Sequence, residues 1–143
     1  MGNIRSFKDL RVWQNAMEIA IKIFEITKSF PREERFSLTD QIRRCSAAPA
    51  LASLTSRSVA ANITEGWRKR RYPAAFISKL NDAESEAAET QTWIEIALRC
   101  GYLTKEEASY LDRQCEEVLG QLVAMIAHPE QWTIKPNSSV QRS

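Results

Sequence analysis

Catalysis needs groups that can converge, and this chain offers few. Its single histidine, His128, stands directly before Pro129. A histidine closing a helix is a cation in a favourable dipole field, which explains it without a catalytic role. Glu84, Glu86 and Glu89 set three carboxylates along one short stretch. A di-iron bundle would want Glu-x-x-His on two helices, a pattern this sequence lacks, so these carboxylates read as a solvated face. The three cysteines, Cys45, Cys100 and Cys115, are odd in number and have no paired spacing. They read as small apolar residues in a reducing cytoplasm. No Cys-x-x-Cys pair, phosphate-cradling glycine loop or nucleophile motif is present. The residues therefore predict no catalytic centre, no metal and no cofactor.

The other chemistry lies in NITEGWRKRRYP, residues 62–73, where Arg68, Lys69, Arg70 and Arg71 follow a Gly-Trp pair. Arg43, Arg44 and Arg57 belong to the same basic segment. Closely set cations beside Trp67 and Tyr72 supply phosphate contacts and stacking surfaces, the ingredients of nucleic-acid binding. The competing reading is a solvated helix end on a homo-oligomeric scaffold or protein-interaction module. The net charge of +2 hides an asymmetry that bears on both. Residues 41–79 carry eight Lys and Arg against Glu65 alone, whereas residues 80–119 carry ten Asp and Glu against three cations. Such a split suits either a head-to-tail assembly or a basic face that takes an anion.

These groups must be positioned by helices. The 143 residues suit one domain with a real core, and 43% hydrophobic with 27% charged residues is a globular profile. Four glycines and five prolines provide poorly for strands and turns. No apolar run approaches the ~20 residues needed to cross a bilayer. The start, MGNIRSFKDL, lacks the apolar core of a secretory signal, and a cytoplasmic location is expected.

Val12, Ala16, Ile19, Ile23, Ile26 and Phe30 recur at spacings of four and three, one stripe of a first helix capped by Asp9 and ended by Pro31. A second stripe, Trp13, Met17, Ala20 and Phe24, runs beside it. Together they are too wide for one core and predict a self-association interface. The second helix starts near Ser37, carries Leu38, Ile42, Cys45, Val59 and Ile63, and ends at Gly66 as its C′ residue. Pro49 should interrupt or kink it. A third helix runs from Pro73 through Phe76, Leu80, Ala83, Ala87, Thr90, Ile94 and Ala97. Thr104 and Glu107 form a capping box for the fourth, with Leu111, Cys115, Val118, Leu122 and Met125 inward. The expected architecture is an all-α, antiparallel up-and-down four-helix bundle over residues 1–128, followed by a flexible C-terminal tail, 129–143.

Three patterns carry a family resemblance: F-x-D-L-x-V-W from Phe7, E-R-F-x-L-x-x-Q-I-R-R from Glu34 and A-N-I-x-E-G from Ala61. With the third-helix segment through LRCGYL, they resemble the bacterial four-helix-bundle proteins encoded in intervening sequences of 23S ribosomal RNA genes. That family is related to the accessory variability determinant of diversity-generating retroelements. The resemblance covers roughly residues 7–126. It implies a homopentamer around a central pore and a non-enzymatic role, with nucleic-acid binding suspected for relatives. The stripe itself gives no stoichiometry. One departure stands out: AAPALASLTS, residues 47–56, separates two motifs that the family pattern nearly joins. Ten residues at ~100° each rotate a helix by about −80°, so a plain insertion would misface Val59 and Ile63.

Overall fold

A computed structural model describes residues 4–28 and 40–135, with backbone alone for 40–46. Among the described residues four helices follow a short 3-10 turn, Phe7–Asp9: α1 (Arg11–Lys28), α2 (Asp40–Arg68), α3 (Pro73–Arg99) and α4 (Lys105–Ala127). A second 3-10 turn, Pro129–Gln131, comes last. Among the described residues α1 packs on α2, α2 on α3, α3 on α4 and α4 on α1, with no diagonal pairing. That closed square of neighbours, joined by short connections after α2 and α3, is an up-and-down four-helix bundle.

The predicted stripes form the core. Val12, Ala16, Ile19 and Ile23 of α1 are buried, as are Phe76, Leu80, Ala83, Ala87, Thr90, Ile94 and Ala97 of α3. Leu111, Cys115, Val118, Leu122 and Met125 of α4 complete it. The small residues on α2 and α3 allow close approach, and Thr55 and Thr90 meet there through a 2.7 Å hydroxyl–hydroxyl hydrogen bond. Phe30, Pro31, Ser37 and Leu38 lie outside the described residues, and the side chains of Ile42 and Cys45 lie outside them too.

Helix ends follow local chemistry. Ser6 caps the first turn with Asp9 answering as its capping-box partner, so Asp9 serves the 3-10 turn and is not the cap of α1. Thr104 and Glu107 cap α4 reciprocally as expected. At the end of α3 the Tyr102 N–H donates to Ala97 O at 2.9 Å and the Gly101 N–H to Leu98 O at 3.0 Å. With Gly101 at φ 83° this is a Schellman closure.

Three expectations need correction. Pro49 does not interrupt α2, which runs unbroken through it from Asp40 to Arg68. Its ring removes one backbone hydrogen bond. The residue is nonetheless buried, bordering a void of about 10 Å³ shared with Ile23, Ala97 and Leu111. Residues 47–56 carry their own inward line, Ala48, Ala52, Thr55 and Ser56, which leads into buried Val59 and Ile63. Gly66 is no C′ residue either, since the helix continues past it to Arg68. A Cβ there would stand 3.4 Å from Leu80 Cδ2 and from Lys79 Cβ, so Gly66 marks where α2 and α3 close upon each other. Finally, Cys100 is disulfide-bonded, unlike Cys115, a free buried thiol whose pKa burial pushes up to about 12. Such a thiol is inert.

Candidate nucleic-acid interface

The connection between α2 and α3 is a tight, hydrogen-bonded turn. The Lys69 N–H donates to Gly66 O and the Tyr72 N–H to Lys69 O, both at 3.0 Å, and the Phe76 N–H returns to Tyr72 O at 2.9 Å. Pro73 opens α3 with its φ already fixed for a helix. Arg68, Lys69 and Arg71 point to solvent, and none forms an ion pair among the described residues. Arg70 behaves differently. Its guanidinium lies 3.5 Å from the centroid of the Trp67 ring, and its Nε donates to Trp67 O at 2.8 Å. Burial, and then the neighbouring charge of Arg68, hold its pKa below the usual arginine range.

The seven cations singled out in the sequence are therefore not one cluster. Arg57 is exposed on α2, with its Nε donating to Ser53 O at 3.2 Å. Eleven residues separate it from Arg68, about 16 Å and three turns, so both lie along one face of α2. Arg43 and Arg44 belong to the first turns of the same unbroken helix. At 1.5 Å per residue their backbones stand roughly 36–38 Å from Arg68. Trp67, read as a stacking surface, is 7% exposed and covered by Arg70, whereas Tyr72 is 66% exposed.

The second stripe of α1 divides as well. Ala20 is already buried within the single chain. Trp13 and Met17 are half-buried, Trp13 meeting Phe7 edge-on at 5.4 Å. Phe24 is 52% exposed beside an equally open Ile21, and Lys28 Nζ stands 5.3 Å from the centre of the Phe24 ring.

One participant escaped sequence reasoning. The segment after α4, read as a frayed tail, forms its 3-10 turn against α3 and α4, and Trp132 packs on the core. The Ile134 N–H then donates to Arg70 O at 3.0 Å. This brings exposed Lys135 to the basic turn. Trp132 and Ile134, apolar residues in a polar stretch, were the signal that the segment returns.

Lys79 of α3 bridges to Glu65 of α2 at 2.8 Å. Hydrogen bonding and charge from Lys79 lower the Glu65 pKa, and Glu65 raises that of Lys79 in turn. Glu86 is pushed upward, chiefly by burial and then by Glu89 and Asp82. Among the described residues no group of three or more His, Cys, Asp or Glu side chains is placed to hold a metal. His128 caps α4, its Nδ1 3.5 Å from a Glu130 oxygen. No helix among the described residues is long and apolar enough to cross a membrane.

Comparison with solved structures finds a protein of unknown function from the S23 ribosomal protein family of Bacteroides thetaiotaomicron. It is 26% identical, with a TM-score of 0.67 over 81% of this chain and 95% of that one. No curated protein matches the chain. The family model described as 23S rRNA-intervening sequence protein matches residues 8–124. That span contains α1, α2, α3 and nearly all of α4, together with the basic turn between α2 and α3, so the chain belongs to the 23S rRNA-intervening sequence protein family.

Proposed function

We propose that this protein is a non-catalytic helical bundle that self-associates and binds the backbone of RNA or DNA through its basic end. One observation carries the reading: Arg68, Lys69 and Arg71 are exposed on a hydrogen-bonded turn, and no acidic residue occurs from Gly66 to Asn81. Cations on a fixed backbone leave only their side chains to be ordered when they meet phosphates, and each contact releases counterions. Recognition of this kind positions a nucleic acid without reading its sequence.

Self-association supports the same role. Ile21 and Phe24 leave an apolar surface open on α1, outside the core of the single chain. The family resemblance supplies the expected number of copies, five. In a ring each copy repeats the basic turn, and weak contacts gain strength through effective concentration. The compartment proposed is the cytoplasm, where nucleic acid is at hand.

The test compares wild type with an Arg68→Gln, Lys69→Gln, Arg71→Gln triple variant, by anisotropy of a labelled oligonucleotide and by light scattering. Wild type is expected to bind and to scatter as an assembly of about 82 kDa, five times the 16.3 kDa chain. The variant is expected to assemble equally and bind far more weakly. Equal binding by both would leave the turn a solvated helix end on a scaffold.

A further inference from the structure

Resting on that reading, we infer that the basic end takes single-stranded rather than duplex nucleic acid, with Tyr72 as its base-stacking platform and Lys135 as an added phosphate contact. The aromatic and cationic side chains at this end differ sharply in availability. Trp67 has no free face, because it is buried and its ring is covered by the Arg70 guanidinium. Arg70 is thereby committed inward. Tyr72, in contrast, is the most exposed large hydrophobic side chain among the described residues, at 66%.

Its backbone is also well fixed. The Tyr72 N–H is held by Lys69 O, its own carbonyl accepts from Phe76 N–H, and Pro73 restricts it to the extended conformation observed, φ −121° and ψ 93°. An aromatic ring left in water on a rigid backbone, flanked by Arg71 and the Arg68–Lys69 pair, is how single-strand binders present a platform. A base can stack on it when its own face is free. In a duplex the base faces are already occupied by their neighbours, so the ring gains nothing there.

The returning C-terminal segment completes the surface. The Ile134 N–H bond to Arg70 O fixes the backbone of residue 134, and with it Lys135, beside the turn. Cations thus approach from two separate stretches of chain, Arg68, Lys69 and Arg71 on one and Lys135 on the other, with Tyr72 two residues beyond the shared Arg70. An acidic peptide would find the same cations but no use for the planar ring.

The test uses the full-length protein with a labelled 12-nucleotide single strand, the matching duplex and polyglutamate. Wild type, Tyr72→Ala, Tyr72→Phe and Lys135→Gln are measured over a salt series, with circular dichroism as a fold control. We expect tighter binding to the single strand than to the duplex. Tyr72→Ala should weaken single-strand binding at least about fivefold, leave duplex binding and the salt slope unchanged, and be rescued by Tyr72→Phe. Lys135→Gln should lower the salt slope by about 0.7. Unchanged single-strand affinity in Tyr72→Ala, or equal losses on both forms, overturns the inference while leaving backbone binding intact. Tighter binding to polyglutamate than to the single strand also overturns it. No binding by wild type to either nucleic acid overturns the inference and the function it rests on.

Discussion

Arg70 lies over Trp67, guanidinium 3.5 Å from the ring centroid, and the pair closes the end of α2 on itself. One of four consecutive cations is thereby a packing residue. Arg70→Ala should cost about 1 kcal/mol of stability, within the range of a partly desolvated cation–π contact. Trp67→Ala should cost about 3–5 kcal/mol as a core truncation. Urea unfolding of both checks the ranking; a larger loss for Arg70→Ala would contradict it.

Thr55 and Thr90 share two hydroxyl protons among four candidate bonds: to each other at 2.7 Å, from Thr55 to Leu51 O at 3.0 Å and to Ala52 O at 3.4 Å, and from Thr90 to Glu86 O at 2.8 Å. Replacing either by Val strips one partner and should cost about 1 kcal/mol. Replacing both removes the buried polar pair together and should come close to neutral. A double-mutant cycle by thermal unfolding would show the coupling, and strict additivity would refute it.

Two glycines should respond with opposite signs. Gly101, at φ 83°, closes α3 in the left-handed region, so Gly101→Ala should destabilise by about 1–2 kcal/mol. Gly120 sits inside α4 with open space where a methyl group would stand, and Gly120→Ala should stabilise by about 1 kcal/mol. Melting temperatures report both.

The ion pair of Glu65 and Lys79 sets a pH window. Glu65 has a lowered folded pKa, so its contribution is present above its unfolded value of about 4.5 and fades as pH falls through the lowered one. Lys79, raised in the fold, contributes below about 10.5 and loses its part as pH climbs through the raised value. Glu86 runs the other way: its raised pKa means that ionisation weakens the fold as pH rises, so Glu86→Gln should stabilise at neutral pH. Urea midpoints from pH 3 to 8 should show a shallower acid limb for Glu65→Gln and a higher neutral plateau for Glu86→Gln.

Periodicity made the bundle legible, because burial on one helix face repeats every three or four residues whatever the partner. The lines from Phe76 to Ala97 and from Leu111 to Met125 are buried without exception. Local rules misled where tertiary contact outweighed them. Pro49 breaks an isolated helix, yet here it is buried inside one. Gly66 resembles a terminator, yet it lets α3 approach within contact of α2. At the candidate site the sequence showed which residues carry charge but not where helix length sends them. The unbroken α2 takes Arg43 and Arg44 far from the turn, and the return of Trp132 and Ile134 adds Lys135 to it.

The central claim is that exposed Arg68, Lys69 and Arg71 contact phosphates, and the salt dependence of binding tests it most directly. The slope of log affinity against log salt should be steep for wild type. In the triple Gln variant it should flatten by about 0.7–0.9 for each phosphate that no longer has a cation opposite it. A variant that keeps its fold, its affinity and its slope would contradict the account.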